Sequence, residues 1–216
     1  TSSSFAFGAS NDFTAECWVY FTTLNSSQSP VIISVGNSGT STGWQIYADS
    51  NNGWGVRSNV ANVFSTANPP KINQWYHVAY VRKSGTHYLF VNGVLNTTTS
   101  TSSYTWSDTV FYSGQGGLGN NFYGYVSDVR LINGTGLYTS NFVPPMQPLT
   151  NYSASVPSAL LLNFTNGGIV DQHSSNVLES VNNAQLSTAV KKFNVASMSF
   201  NRTNQYLSMP ANQNMT

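Results

Sequence analysis

The sequence predicts an all-β fold, a sandwich or jelly roll, and three observations carry that prediction. Val, Ile, Tyr, Phe and Trp gather in short runs, each bounded by Gly, Asn, Ser or Pro. No window of a dozen residues holds a convincing 3.6-residue apolar period, and residues 177–190 come nearest to one. The dipeptide Asn92-Gly93, set between HYLFV and VLN, suits the positive φ angles of a two-residue type I′ hairpin. Many short strands, Gly-rich turns and almost no helix make a sandwich rather than a bundle or an α/β fold.

The strands follow in chain order. Residues 15–21 (AECWVYF), 31–35 (VIISV), 44–48 (WQIYA) and 54–58 (WGVRS) form the first group, and 75–82 (WYHVAYVR), 87–91 (HYLFV) and 123–132 (YGYVSDVRLI) the second. Trp18 and Trp75 lie in the strongest strands and are expected in the core. At 143–157 (VPPMQPLTNYSASVP) prolines cluster and the strand pattern stops, which reads as a linker or a long edge-crossing loop. The pattern resumes at 159–164 (ALLLNF), 196–200 and 205–209. The stretch 207–216 also echoes 5–14 in pattern, as apolar, small, apolar, turn residue, Ala, three polars, apolar, Thr.

Composition excludes several function classes. Lys plus Arg is 8 and Asp plus Glu is 7 in 216 residues, so there is no basic stripe for nucleic acid and no polybasic membrane surface. No apolar run approaches the length of a membrane-spanning helix. The 40% hydrophobic content argues against disorder. A surface of Asn, Ser, Thr, Gly and Tyr with few charges suits an extracellular or virion-surface protein. The chain opens at Thr1 rather than Met, as expected of a processed product or a piece of something longer. Seven Asn-x-Ser/Thr triplets, headed by Asn25, Asn96, Asn133, Asn151, Asn163, Asn201 and Asn214, match the number so much Ser and Thr produces by chance and do not argue for glycosylation.

Four strings together resemble the laminin-G-like, concanavalin A-type lectin/glucanase superfamily, in particular modules of phage and bacterial surface proteins. They are FTAECWVYF (13–21), NQWYHVAYVR (73–82), HYLFVNG (87–93) and FYGYVSDVRLINGTGLYTSNFVPP (122–145). The resemblance implies a concanavalin A-like jelly-roll sandwich of two antiparallel sheets. Residues 159–216 resemble the opening of such a module, whereas 13–145 resemble its body and close, so the order is reversed. The expected organisation is therefore a jelly-roll body and closing strands over 1–147, a Pro-rich linker over 148–158, and opening strands of the next tandem copy over 159–216. The alternative is one permuted domain over 1–216. In the tandem arrangement Leu160, Leu162 and Phe164 are assembly residues that ladder onto a neighbouring copy.

The superfamily includes glucanases, yet the residues argue against catalysis. Retaining glycoside hydrolysis needs two carboxylates roughly 5 Å apart. The two Glu, Glu16 and Glu179, lie in unrelated contexts, and Glu16 has no acidic partner within its strand. His77, His87 and His173 have no nucleophile elbow beside them, and His77 with His87 is at most the start of a zinc pair. Gly114-Gln115-Gly116-Gly117 is a turn without the Lys-Ser/Thr of a phosphate loop. Cys17, the single cysteine, reads as a small buried hydrophobe.

Two kinds of ligand remain. Relatives in this superfamily hold Ca²⁺ at the sandwich rim, and the candidate ligands here are Asp12, Asp49, Asp108 and Asp171. So few carboxylates imply no cofactor, or Ca²⁺ held weakly. Sugar rings stack on aromatic faces among amides, which makes Trp44, Tyr47, Trp54, Tyr104, Trp106, Asn51 and Asn121 the candidate glycan residues. The expected function is a non-enzymatic virion or extracellular structural module that assembles head-to-tail with copies of itself. The alternative is a lectin that recognises cell-surface glycans.

Overall fold

The computed structural model describes residues 5–24, 29–36, 41–58, 62–99, 104–115, 121–156, 158–164, 168–172, 177–193, 195–201 and 203–209. His173, Gly116 and Gly117, Asn25 and Asn214, and the end of the echo beyond Met209 lie outside them. The described residues hold fifteen strands and no helix. In order they are β1 (Phe13–Phe21), β2 (Val31–Val35), β3 (Trp44–Asp49), β4 (Gly53–Arg57), β5 (Asn62–Ser65), β6 (Trp75–Lys83), β7 (Thr86–Val91) and β8 (Val94–Thr99). There follow β9 (Phe111–Ser113), β10 (Tyr123–Asn133), β11 (Ser158–Leu162), β12 (Glu179–Val181), β13 (Gln185–Ser187), β14 (Ser197–Asn201) and β15 (Tyr206–Met209).

They form two antiparallel sheets. The first runs β13-β14-β10-β1-β6-β7-β8, with β11 also on β10, and the second runs β12-β15-β9-β2-β3-β4-β5. Alternation along each strand sends one set of side chains between the sheets. Phe13, Ala15, Cys17, Val19 and Phe21 of β1 meet Ile33, Val35, Trp44, Ile46, Trp54 and Val56 of the second sheet in one hydrophobic core.

The hairpin at 92–93 forms as the dipeptide predicts, with φ of 51° at Asn92 and 75° at Gly93. Gly93 has a second constraint. A Cβ there would lie 1.9 Å from the Phe142 carbonyl oxygen, which belongs to a segment crossing outside the sheet.

Three expectations need correction. The strands after residue 158 do not leave the body. Leu160, Leu161 and Leu162 of β11 pair with Leu131, Arg130 and Val129 of β10, while β14 pairs with Tyr123–Val126 of the same strand. β10 is eleven residues long; β1 covers one edge, and β14 and β11 share the other, so its backbone groups find partners within the chain. Leu160, Leu162 and Phe164 are buried in the chain's own core, not offered to a neighbour. In the second sheet, β15 pairs with β9.

The Pro-rich stretch is no linker between separate bodies. From Gly134 to Thr150 the chain crosses the outer face of the first sheet as a strap. Tyr138 and Phe142, stacked 3.6 Å apart, cover Ala79, Val81 and Phe90. Residues 177–190, the nearest approach to a helical period, instead form β12 and β13, two short strands that join different sheets. Trp18 is buried, but on the outer face of the first sheet, and Trp75 is only half-buried.

Candidate functional site

The described polar groups concentrate on the two outer faces. On the first sheet, Glu16 sits fully buried beneath the strap. Its Oε1 accepts from Arg130 Nε at 2.8 Å and Nη2 at 2.5 Å, and its Oε2 accepts from Tyr138 Oη at 3.0 Å and lies 3.1 Å from His77 Nε2. Burial by itself would raise the Glu16 carboxyl, but the His77 hydrogen bond and the Arg130 charge outweigh it and hold it below the usual range. One strand over, Asp128 occupies a bulge in β10 with a φ of 51°. It accepts from Leu149 N at 2.8 Å and Ser127 Oγ at 2.7 Å. Burial dominates there and pushes its carboxyl up to about 6.

Glu16 and Asp128 are neighbours, but each of their four oxygens already meets a protein donor. The arrangement fastens the strap to the sheet. The other histidine of the first sheet faces the interior. His87 Nδ1 lies 2.7 Å from Tyr80 Oη, so His77 and His87 stand on opposite sides of the sheet and do not converge on a metal.

The four aspartates proposed for Ca²⁺ are held apart. Asp12 binds Lys83 Nζ and Ser84 N; Asp49 binds Ser29 Oγ, Asn51 N, and Asn52 N and Nδ2; Asp108 accepts from Thr42 Oγ1; Asp171 accepts from Leu161 N. Among the described residues no group of three or more His, Cys, Asp and Glu converges as a metal site would require.

The glycan candidates divide as well. Trp44, Trp54 and Trp106 belong to the core, because their strand positions or their loop turn them inward; Trp106 Nε1 donates to Tyr80 Oη at 3.2 Å. Tyr104 stacks on Trp106 at 5.1 Å and packs against the same core. Asn51 is exposed at the β3–β4 turn, and Asn121 Nδ2 donates to Asn204 Oδ1. Tyr47 faces outward but is enclosed: a Cβ at Gly55 would come within 2.4 Å of its ring, and Arg57 Cζ stands 4.8 Å from the ring centre.

Tyr47 nevertheless marks an outer face where, among the described residues, buried polar atoms await partners beside aromatic rings, as Trp18 Nε1 and His77 Nδ1 also do on the first sheet. On the second sheet, Ser208, Tyr112, Ser34, Gln45 and Arg57 alternate with core residues and point outward. Successive members are direct cross-strand partners, giving an unbroken row over five strands, roughly 19 Å at ordinary strand spacing. Arg57 Nε donates to Gln45 Oε1 at 3.0 Å and its Nη2 to the Ser29 carbonyl at 3.2 Å. Ser34 is 0% and Gln45 3% exposed, yet Ser34 Oγ and Gln45 Nε2 have no hydrogen-bond partner among the described residues. Tyr112 flanks Ser34, with the Tyr206 ring 6.0 Å away. Burial, with Tyr206 and Asp108 nearby, raises the Tyr112 phenol, so it stays neutral. Sequence reasoning missed Ser34, Gln45, Arg57, Tyr112 and Tyr206. The alternation of VIISV and WQIYA assigns Ser34 and Gln45 to the outer face, but only the lateral register sets them side by side.

The sandwich and its outward polar row define a lectin-type jelly roll. The chain belongs to the concanavalin A-like lectin/glucanases superfamily, whose family model matches residues 1–135. No curated protein matches it. Among solved structures it is similar to a candidate carbohydrate-binding protein from Bacteroides ovatus, at 17% identity and a TM-score of 0.58 over 92% of this chain and 53% of that one. It is also similar to domain 4 of AbnA, an extracellular GH43 arabinanase from Geobacillus stearothermophilus, seen with arabinotriose (16% identity, TM-score 0.46, 60% and 63% of the two chains). A third is the CBM40 module of a Ruminococcus gnavus IT-sialidase, seen with α2,3-sialyllactose (16%, 0.45, 60% and 79%). The chain spans about half the length of the Bacteroides ovatus protein.

Proposed function

We propose that this chain is a non-catalytic carbohydrate-binding module acting outside the cell, and that it holds its ligand on the outer face of the second sheet. One observation carries the reading: Ser34 Oγ and Gln45 Nε2 are buried without partners among the described residues, in a row walled by Tyr112 and Tyr206 on one side and Arg57 on the other. An unsatisfied buried polar group costs about 1–3 kcal/mol, a deficit that hydroxyl-rich ligands relieve. Tyr112 and Arg57 are half-buried, so either side chain can turn to admit a sugar. The use of Glu16 and Asp128 to anchor the strap supports a role without hydrolysis. The fibre-forming alternative is left without an observation in its favour, since the strands meant for a neighbour complete the chain's own sheets.

The test is a glycan array probed with the wild-type chain, Tyr112→Ala, Gln45→Ala and, as a control on the other sheet, Tyr123→Ala. Binding retained by the control and lost in the first two supports the site. Binding that survives in all three moves the site elsewhere.

A further inference from the structure

We infer that Arg57 is a removable cover on this site, and that the ligand is a neutral saccharide, one ring of which takes the place of the Arg57 guanidinium on Tyr47. The inference rests on the carbohydrate reading above and adds how the site opens and which class of sugar it takes. Tyr47 is laid against the sheet by its neighbours. Its cross-strand partner is Gly55, where a Cβ would fall 2.4 Å from the ring. Its Oη donates to Asn62 Oδ1 at 3.4 Å, which directs the ring across β4 toward β5. Tyr47 and Gln45 stand two residues apart on one strand and share the outer face. Arg57 closes the ring off: its Cζ lies over it, 4.8 Å from the centre, and Tyr47 is left 2% exposed.

The cover is held by groups that a sugar can use in its place. Arg57 Nε donates to Gln45 Oε1 and its Nη2 to the Ser29 carbonyl, both uncharged acceptors. Asp49 acts on the guanidinium electrostatically, while its oxygens accept from Ser29, Asn51 and Asn52. Desolvation is the larger influence on Arg57, so a guanidinium turned out into water regains hydration in exchange for two hydrogen bonds and a cation–π contact. Its withdrawal uncovers the Tyr47 ring and frees Gln45 Oε1 and the Ser29 carbonyl as acceptors. They stand beside donors that lack partners among the described residues, Gln45 Nε2 and, across the strand pair, Ser34 Oγ. A sugar ring matches that set, because it has an apolar face for the aromatic ring and hydroxyls that each donate and accept. An anionic ligand fits poorly. Asp49 stands at the β3–β4 turn, and the Asp108 carboxylate packs against Gly36 and Gly43 beside Ser34 and Gln45, so a second negative charge would be repelled from both sides.

Calorimetric titration of the whole chain with cellotetraose, maltotetraose and arabinotriose tests this. At least one of them binds the wild type. Arg57→Ala binds that sugar about fivefold more tightly, because a closed fraction no longer subtracts from the apparent affinity. Tyr47→Leu, which removes the stacking surface, weakens it about tenfold. Both variants are checked for an unchanged melting profile. A readout on the unmutated chain does not depend on their folding: the Arg57 Nε–H proton, followed by NMR, is shielded from solvent exchange in the free chain and exchanges once the same sugar saturates it. Weaker or unchanged binding by Arg57→Ala, full binding by Tyr47→Leu, or an Nε–H that stays shielded in the bound chain overturns the cover and leaves the carbohydrate reading intact. A chain that binds glycans on the array but none of these three neutral sugars has the same consequence. A chain that binds no glycan at all overturns both.

Discussion

Asp128 has a backbone conformation and a charge that conflict. Its left-handed φ at the β10 bulge favours Asn or Asp among non-glycine residues, and its side chain must accept the Leu149 N–H that fastens the strap. As a carboxylate it is buried, and its folded-state pKa of about 6 stands above the ordinary 3.8. The folded state thus holds the proton more tightly than the unfolded one. The penalty for the buried charge is full above pH 6, declines as pH falls and is gone below about 4. An asparagine in its place keeps the backbone preference and the acceptor for Leu149 without the charge. Asp128→Asn is expected to raise stability at pH 7 by up to about 3 kcal/mol, an advantage that vanishes by pH 4; urea midpoints at the two pH values measure it. His87 acts in the opposite sense. Burial and Arg82 lower its pKa to about 4, so acid favours the unfolded chain, and its contribution is lost between pH 6.5 and 4. The two effects oppose each other in the wild type. Its stability should change less across that window than that of Asp128→Asn, which loses stability steadily as the pH falls.

At the scale of single elements the hairpin at 92–93 is the sharpest case. Gly93→Ala meets both a φ of 75° and the Phe142 carbonyl oxygen 1.9 Å from the new Cβ, so relief requires the strap to move away from the sheet. A loss of about 2–4 kcal/mol is expected, with proteolysis appearing near Phe142 before the rest of the chain; a near-neutral effect would mean the strap is not seated there. The sequence shows the turn through its dipeptide alone, because Asn-Gly carries its own backbone preference. The strap leaves no such local mark. Val143-Pro-Pro-Met146 lacks strand periodicity and reads as a linker, and only Tyr138, Phe142 and Leu149, meeting partners more than 20 residues away, show that it is packed. For the same reason the strongest strands were legible while β5, β9, β12 and β13, of three or four residues each, were not. The candidates Trp44, Trp54 and Trp106 differ from expectation by face rather than by position: Trp44 and Gln45 are adjacent, and strand alternation buries the tryptophan and presents the amide.

Across the whole molecule the question is whether residues 158–209 belong to this sandwich or to another. They supply β11, β13 and β14 to the first sheet and β12 and β15 to the second. They also place Leu160, Leu162, Phe164, Met198, Phe200, Leu207 and Met209 in the common core. Without them one edge of β10 and one edge of β9 would lose their backbone partners beside an opened apolar core, the condition under which β proteins aggregate. A chain ending at residue 150 is therefore expected to be insoluble or to lack a cooperative melting transition, and Leu160→Ala in the full chain to lose about 2–5 kcal/mol. The full chain's unfolding midpoint should not depend on protein concentration, since these contacts are made within one chain. Addition of a chelator should leave that midpoint unchanged, because the four candidate aspartates are spent on separate local hydrogen bonds. A soluble 1–150 fragment with a sharp transition of its own would place a module boundary at the prolines after all. The pairing of β11 with β10 would then be a contact that a neighbouring copy could supply equally well.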